Sequence, residues 1–176
     1  ISSVSSAQNG LEMLMEKGKN HLLASENEEA KEVLQKALIQ SVEAKDLKST
    51  AIIYNNLGVA ARRLGNDKEG IESYELALEV YKKIGDDTLI AGSQYNLGVA
   101  LKRLGSYELA IRNFSSAVVL FEKIRDEEKT AKVYDVLGNI YNDIKNHKES
   151  IQYHRSAMKI YERILDTVGT SRAALN

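Results

Sequence analysis

The chain has 176 residues, 24 Lys+Arg against 25 Asp+Glu for a net charge of -1, and no proline, cysteine or tryptophan. Zero cysteine excludes disulfides, thiolate metal sites and cysteine nucleophiles, and the balanced charge lacks the excess of base that a generic nucleic-acid binder carries. No uncharged run approaches the roughly 18 residues of a membrane helix, and ISSVSSAQNG lacks the charged-then-apolar order of a signal peptide. The expectation is a soluble, cytoplasmic protein with neither nucleic-acid nor membrane partners.

Residues 1–10 read as an N-terminal extension. From residue 11 the chain repeats itself with a period of 40, as copies at 11–50, 51–90, 91–130 and 131–170. YNNLGVAARRLG at 54–65 returns as QYNLGVALKRLG at 94–105, and Leu57-Gly58 as Leu97-Gly98 and Leu137-Gly138. Ile71, Ile111 and Ile151 coincide, as do Ala77, Ala117 and Ala157, and Asp86, Asp126 and Asp166. Copy one is weaker, with Gly18, Ala30, Ala37 and Asp46 in step. A period of this length signals stacked supersecondary units.

Each copy holds two helical patterns. In copy two, Ile53, Leu57, Ala60 and Leu64 form one face of a helix over 51–64. Gly65-Asn66 breaks it, and Asn66 with Glu69, like Asn146 with Glu149, suggests a capping box. A second helix over about 68–84 carries Ile71, Tyr74, Leu78 and Tyr81 on one face, and Gly85-Asp86-Asp87 ends it before a new first helix near Ala91. Gly58, Gly98 and Gly138 each cost about 1 kcal/mol inside a helix, which implies close approach of the neighbouring helix backbone. Stacked pairs bury faces that one pair cannot, so the fold class is all-α, a solenoid of stacked antiparallel helix pairs. Residues 171–176 read as the start of a fifth repeat or a capping helix, cut short.

Gly98, Ala110, Phe114 and Ala117 carry a spacing that resembles the tetratricopeptide repeat, and the resemblance spans about 11–170. It implies a right-handed α-solenoid of about four units. Departures are Gly70 and Ser150 for the middle alanine, Lys145 for the turn glycine, no closing proline, and the longer period. Longer second helices with an acidic loop would absorb the extra residues. That longer form is similar to repeats of LGN/Pins-type adaptors, kinesin light chains and bacterial peptide-sensing regulators.

The resemblance places first helices along a concave groove. The groove residues it implies are Asn55, Asn56, Arg62 and Arg63 from copy two, and Tyr95, Asn96, Lys102 and Arg103 from copy three. Copy four gives Lys132, Asp135, Asn139 and Asn142, with Asp143 beside them, and copy one gives Glu12, Met15, Glu16, Lys19, Leu22 and Leu23. An Asn amide offers a donor and an acceptor to an extended peptide. Arg62, Arg63, Lys102 and Arg103 form either a cationic stripe for carboxylates or plain complements to the helix dipole.

Catalytic and metal chemistry find no support. Among the three histidines, His154 occupies the aromatic packing column, and Asp143 with His147 would share a helix face without completing a zinc site. Tyr74, Tyr81, Phe114, Phe121 and Tyr161 are core by phase. The function expected is a non-enzymatic, cofactor-free scaffold or adaptor that binds a peptide or helix of another protein, acidic in its middle. The alternatives are homodimerisation through the solenoid ends, near Leu22 and Leu23, and a peptide-sensing domain of a larger regulator.

Overall fold

The structure is a computed structural model that describes the backbone of residues 2–173 and the side chains of residues 8–165. Eight helices occupy the described residues: α1 (Ser2–Leu23), α2 (Asn27–Glu43), α3 (Leu47–Arg63), α4 (Asp67–Ile84), α5 (Asp87–Arg103), α6 (Tyr107–Lys123), α7 (Glu127–Asp143) and α8 (His147–Ala173). From α2 onward each begins 20 residues after the last, so the 40-residue period divides into equal halves. Between the end helices, α2 to α7 are alike at 17 residues, with α4 at 18, so first and second helices share the extra length of the repeat. Residues 2–10 lie within α1, and α8 runs unbroken through 171–173, while residues 174–176 lie outside the described residues.

The turns explain the even step. After α3 the chain closes with Asn66 N–H on the Ala61 carbonyl at 2.8 Å and Gly65 N–H on the Arg62 carbonyl at 3.1 Å, a Schellman motif. The same pair of bonds closes α1, α2, α5, α6 and α7. The motif needs a left-handed residue, supplied by Gly65 and Gly105 but also by Ser25, Lys45, Arg125 and Lys145, at φ between 54° and 64°. Asp46, Asp86 and Asp126 then cap the first helices: Asp46 accepts from Ser49 N–H, Asp86 from Thr88 and Leu89, and Asp126 from Lys129. The recurrent aspartate is therefore a helix start rather than a loop, and first helices begin four residues before the copy boundaries. Asn66 makes no side-chain cap bond, so the expected capping box is not formed there; Glu69 instead holds Lys31 at 2.6 Å.

Consecutive helices pack pairwise, and α3 also touches α1 and α5, which makes these first helices a layer of their own. The core is the recurrent columns: Leu57, Leu97 and Leu137 against Tyr74, Tyr81, Phe114 and Phe121, with Ala77, Ala117 and Ala157 between. Each fully buried large side chain contributes about 1.5–3 kcal/mol. A side chain, not a helix backbone, fills the space opposite Gly58, Gly98 and Gly138. A Cβ on Gly58 would lie 2.6 Å from the Tyr74 ring, on Gly98 3.0 Å from Phe114, and on Gly138 2.7 Å from His154. Backbone approach occurs instead at Gly70, where a Cβ would sit 3.2 Å from the Gly58 carbonyl oxygen. Gly70 and Ser150 are buried like Ala30 and Ala110, with Ser150 at 6% exposure against 0% for the two alanines. His154 and Tyr161, in the last helix, are only half-buried.

Candidate functional site

The first-helix layer brings Asn55 of α3 beside Asn96 of α5. Asn96 Nδ2 donates to Asn55 Oδ1 at 3.3 Å, across 41 residues of sequence. Both side chains are half-buried. The bond leaves Asn55 Nδ2 and Asn96 Oδ1, one donor group and one acceptor, without a hydrogen bond to another described residue. Next to Asn96, the Tyr95 ring packs edge-on to Phe114, with centroids 5.6 Å apart, which ties this part of the layer to the core. Asn56 is half-buried one residue from the pair.

The four cations at the ends of α3 and α5 do not behave alike. Arg103 lays its Nε 3.0 and 3.1 Å from the two oxygens of Asp67, the first residue of α4. Arg63 donates to the Leu22 carbonyl at the end of α1. Both therefore reach back to the preceding repeat and close helix ends. Lys102 has only Asp143, at 3.9 Å. The Arg62 Nε is buried without an acceptor beside the Tyr74 hydroxyl, which is buried and unpartnered as well. Burial pushes the Tyr74 hydroxyl above its ordinary pKa, opposed by the Arg62 side chain through its N–H groups and its charge.

Copy four contributes differently. Lys132 pairs with Glu128 one turn away, which raises the lysine above its usual pKa. Asp135 faces His154 of α8 at 3.1 Å. Asn142 Oδ1 meets His147 Nδ1 at 3.1 Å, and Asn139 is exposed. Asp143 ends α7 and His147 begins α8, so the two do not share a helix face. In copy one Leu22 is core at 6% exposure and Leu23 is exposed at 75%, so only one of that pair marks an open surface.

A second set of residues was hidden in the sequence. Asp67–Arg103, Asp87–Lys123 and Glu127–Arg163 are ion pairs between the first residue of one helix and a position 36 residues on, in the following antiparallel helix. The acid-to-base spacing was present in the sequence; its meaning needs the 20-residue step. Gln94 of α5 also buries its Oε1 without a donor.

A sequence model of the tetratricopeptide repeat matches residues 11–88 and 89–163. The chain belongs to the tetratricopeptide repeat family. No curated protein matches it by sequence. Among solved structures it is similar to that of MamA, at 19% identity with a TM-score of 0.74, covering 94% of this chain and 86% of that one. A putative kinesin light chain from Podosopora anserina, with nearly identical TPR-like repeats, gives 17%, 0.75, 87% and 75%. Aspartyl phosphate phosphatase F from Bacillus subtilis gives 15% and 0.84, covering 93% of this chain but 43% of that one. At these identities the likeness establishes the fold, a tetratricopeptide solenoid. That fold is generally a protein-interaction scaffold and typically non-enzymatic. Among the described residues no helix is long and apolar enough to cross a membrane.

Proposed function

We propose that this tetratricopeptide array is a cytoplasmic adaptor that holds an extended or helical segment of another protein against its first-helix layer. The observation that carries this reading is the Asn55–Asn96 pair. Two half-buried amides from adjacent repeats bond to each other and keep one donor and one acceptor for a ligand backbone. Mid-helix asparagine is unfavourable relative to the usual helix formers, and Asn96 recurs one period after Asn56, the neighbour of Asn55.

Arg62 and Lys102 stand at the same register of α3 and α5, one short of an acceptor and one loosely paired. Lys102 is open to a carboxylate on the ligand, whereas the Arg62 Nε is itself buried, and the loosely held lysine favours a segment acidic in its middle. Arg63 and Arg103 would have to exchange internal partners to join them. Asn56, Tyr95, Lys132, Asp135, Asn139 and Asn142 extend the same surface.

The test is a display selection of peptides on the whole chain, followed by calorimetric titration of the best binder against Asn96→Ala, Lys102→Glu and wild type. Losses of about tenfold or more for both variants, at unchanged melting temperature, support the reading. Unchanged affinity in both rules out the assigned contacts.

A further inference from the structure

Among the described residues, Gly92 is the only glycine that stands in open space inside a regular helix. Gly65, Gly85 and Gly105 occupy left-handed turn positions. A Cβ on Gly18, Gly58, Gly98 or Gly138 would press on a side chain of the next helix, and one on Gly70 on the Gly58 carbonyl. At Gly92, inside α5, a Cβ would meet nothing within 4 Å. Glycine inside a helix is unfavourable relative to alanine, and here neither packing nor backbone conformation accounts for it. What a missing Cβ offers at such a place is close approach of a group from outside the chain. Since α5 is an interior helix with a repeat on either side, the opening belongs to the first-helix layer itself.

Gly92 lies one turn before Asn96 on α5, as Ile52 lies one turn before Asn55 on α3. The Asn96–Asn55 hydrogen bond holds the two helices in step there, so the preceding turn sets Gly92 beside Ile52. The walls of this notch are apolar. Ile52 is half-buried against the cluster of Ala51, Ala77 and Tyr81. Tyr95, three residues after Gly92, is half-buried with its ring edge-on to Phe114. On the far side Lys132 of α7 holds the register of Gly92, but Glu128 engages its ammonium. The notch therefore suits an apolar group better than an acid.

We propose that the notch at Gly92 receives a bulky apolar side chain, of leucine size, from the peptide segment held by the Asn55–Asn96 pair. The inference rests on the peptide-binding reading above and specifies its ligand. Along α5, Gly92, Asn96 and Lys102 follow in order over about 15 Å of helix. An extended segment crosses that distance in about four to five residues. The segment thus carries its apolar anchor that far from its acid, with backbone amides between them for the asparagines. An apolar anchor in a pocket is the kind of contact that dominates an interface.

The experiment selects random-peptide phage libraries in parallel on the whole wild-type chain, on Gly92→Leu and on Asn96→Ala. The best wild-type peptide is then titrated calorimetrically against each protein and against Gly92→Ala. Both glycine variants enter open space and favour the helix, so their melting temperatures should hold or rise. Wild-type peptides are expected to share a leucine-like residue about four to five positions from an acid. Gly92→Leu is expected to bind the best peptide about tenfold more weakly, and to select peptides with a small residue in place of the anchor. Shortening the anchor to alanine should weaken binding to wild type and leave Gly92→Leu indifferent, as coupled partners require. A Gly92→Ala chain that melts higher yet binds more weakly separates a ligand role from a structural one. Selected peptides without the anchor, or equal binding by Gly92→Leu, would overturn the proposal. If Asn96→Ala still weakens binding in that case, the peptide-binding reading stands and only the notch fails. If Asn96→Ala has no effect while Gly92→Leu weakens binding, the amide contacts fail and the notch stands. No enriched peptide on the wild type would overturn both.

Discussion

Arg103 grips both carboxylate oxygens of Asp67, 36 residues earlier, and so bolts the end of α5 to the start of α4. The Asp67 side chain is only 10% exposed, whereas Arg103 is half in solvent. Each group also complements its own helix dipole, acid at an N-terminus and base at a C-terminus.

A charge-assisted, two-oxygen contact of this kind, discounted for the solvated arginine, stabilises by about 1 kcal/mol. Arg103→Gln is expected to lower stability by that amount. A double-mutant cycle with Asp67→Asn should return a favourable coupling of similar size in thermal melts. Zero coupling would mean that the pair is incidental and that Arg103 belongs to the ligand surface alone.

The helix glycines separate into two kinds. Gly58→Ala must displace the Tyr74 ring, which is fully buried and cannot swing away, so a loss of about 1–3 kcal/mol is expected. Gly92, in the middle of α5, has open space where its Cβ would go, and Gly92→Ala should gain about 1 kcal/mol from helix propensity alone. Opposite signs for these two substitutions in urea unfolding would confirm that space, not backbone freedom, holds Gly58 in place.

Lys145 occupies a left-handed turn position at φ 64° where two other turns carry glycine. The strain on a residue with a Cβ outweighs the entropy that glycine adds to the unfolded chain. Lys145→Gly should therefore stabilise by about 0.5–1 kcal/mol, read as a rise in melting temperature.

Asp46 accepts the Ser49 backbone N–H at 3.0 Å, and this bond, with the Ser49 hydroxyl, holds its carboxyl below the ordinary value of 3.8. A depressed carboxylate pKa contributes stability that is present above the unfolded value and lost as pH falls through the folded one. Asp46→Ala should cost about 1 kcal/mol at pH 7. The difference from wild type should shrink as pH drops from about 4 downward. A pH-independent difference would show that the cap does not act through its charge.

The fold was legible because the Leu-Gly, alanine and aromatic columns keep one register over four copies, and packing alone demands that. The copy boundaries were less so. Asp46, Asp86 and Asp126 read equally well as loop residues or helix caps, and only the Schellman turns before Asp46 and Asp126 decide between them. The site was legible in part. Asn96 stood out with Asn56 because the two recur one period apart, whereas its bonded neighbour Asn55 aligns with Tyr95 and came only from the groove positions that the family resemblance implies. The roles of Arg63 and Arg103 were not legible, because their partners Leu22 and Asp67 lie a whole repeat away and carry no local signal.

The most direct test of the account follows the side-chain amide resonances of Asn55 and Asn96 by NMR while an acidic peptide selected on the chain is titrated in. The account predicts that both amides shift together, with saturation at the calorimetric dissociation constant, while resonances of the outer α4 and α6 faces stay still. Saturable binding that leaves both asparagine amides unmoved would contradict it.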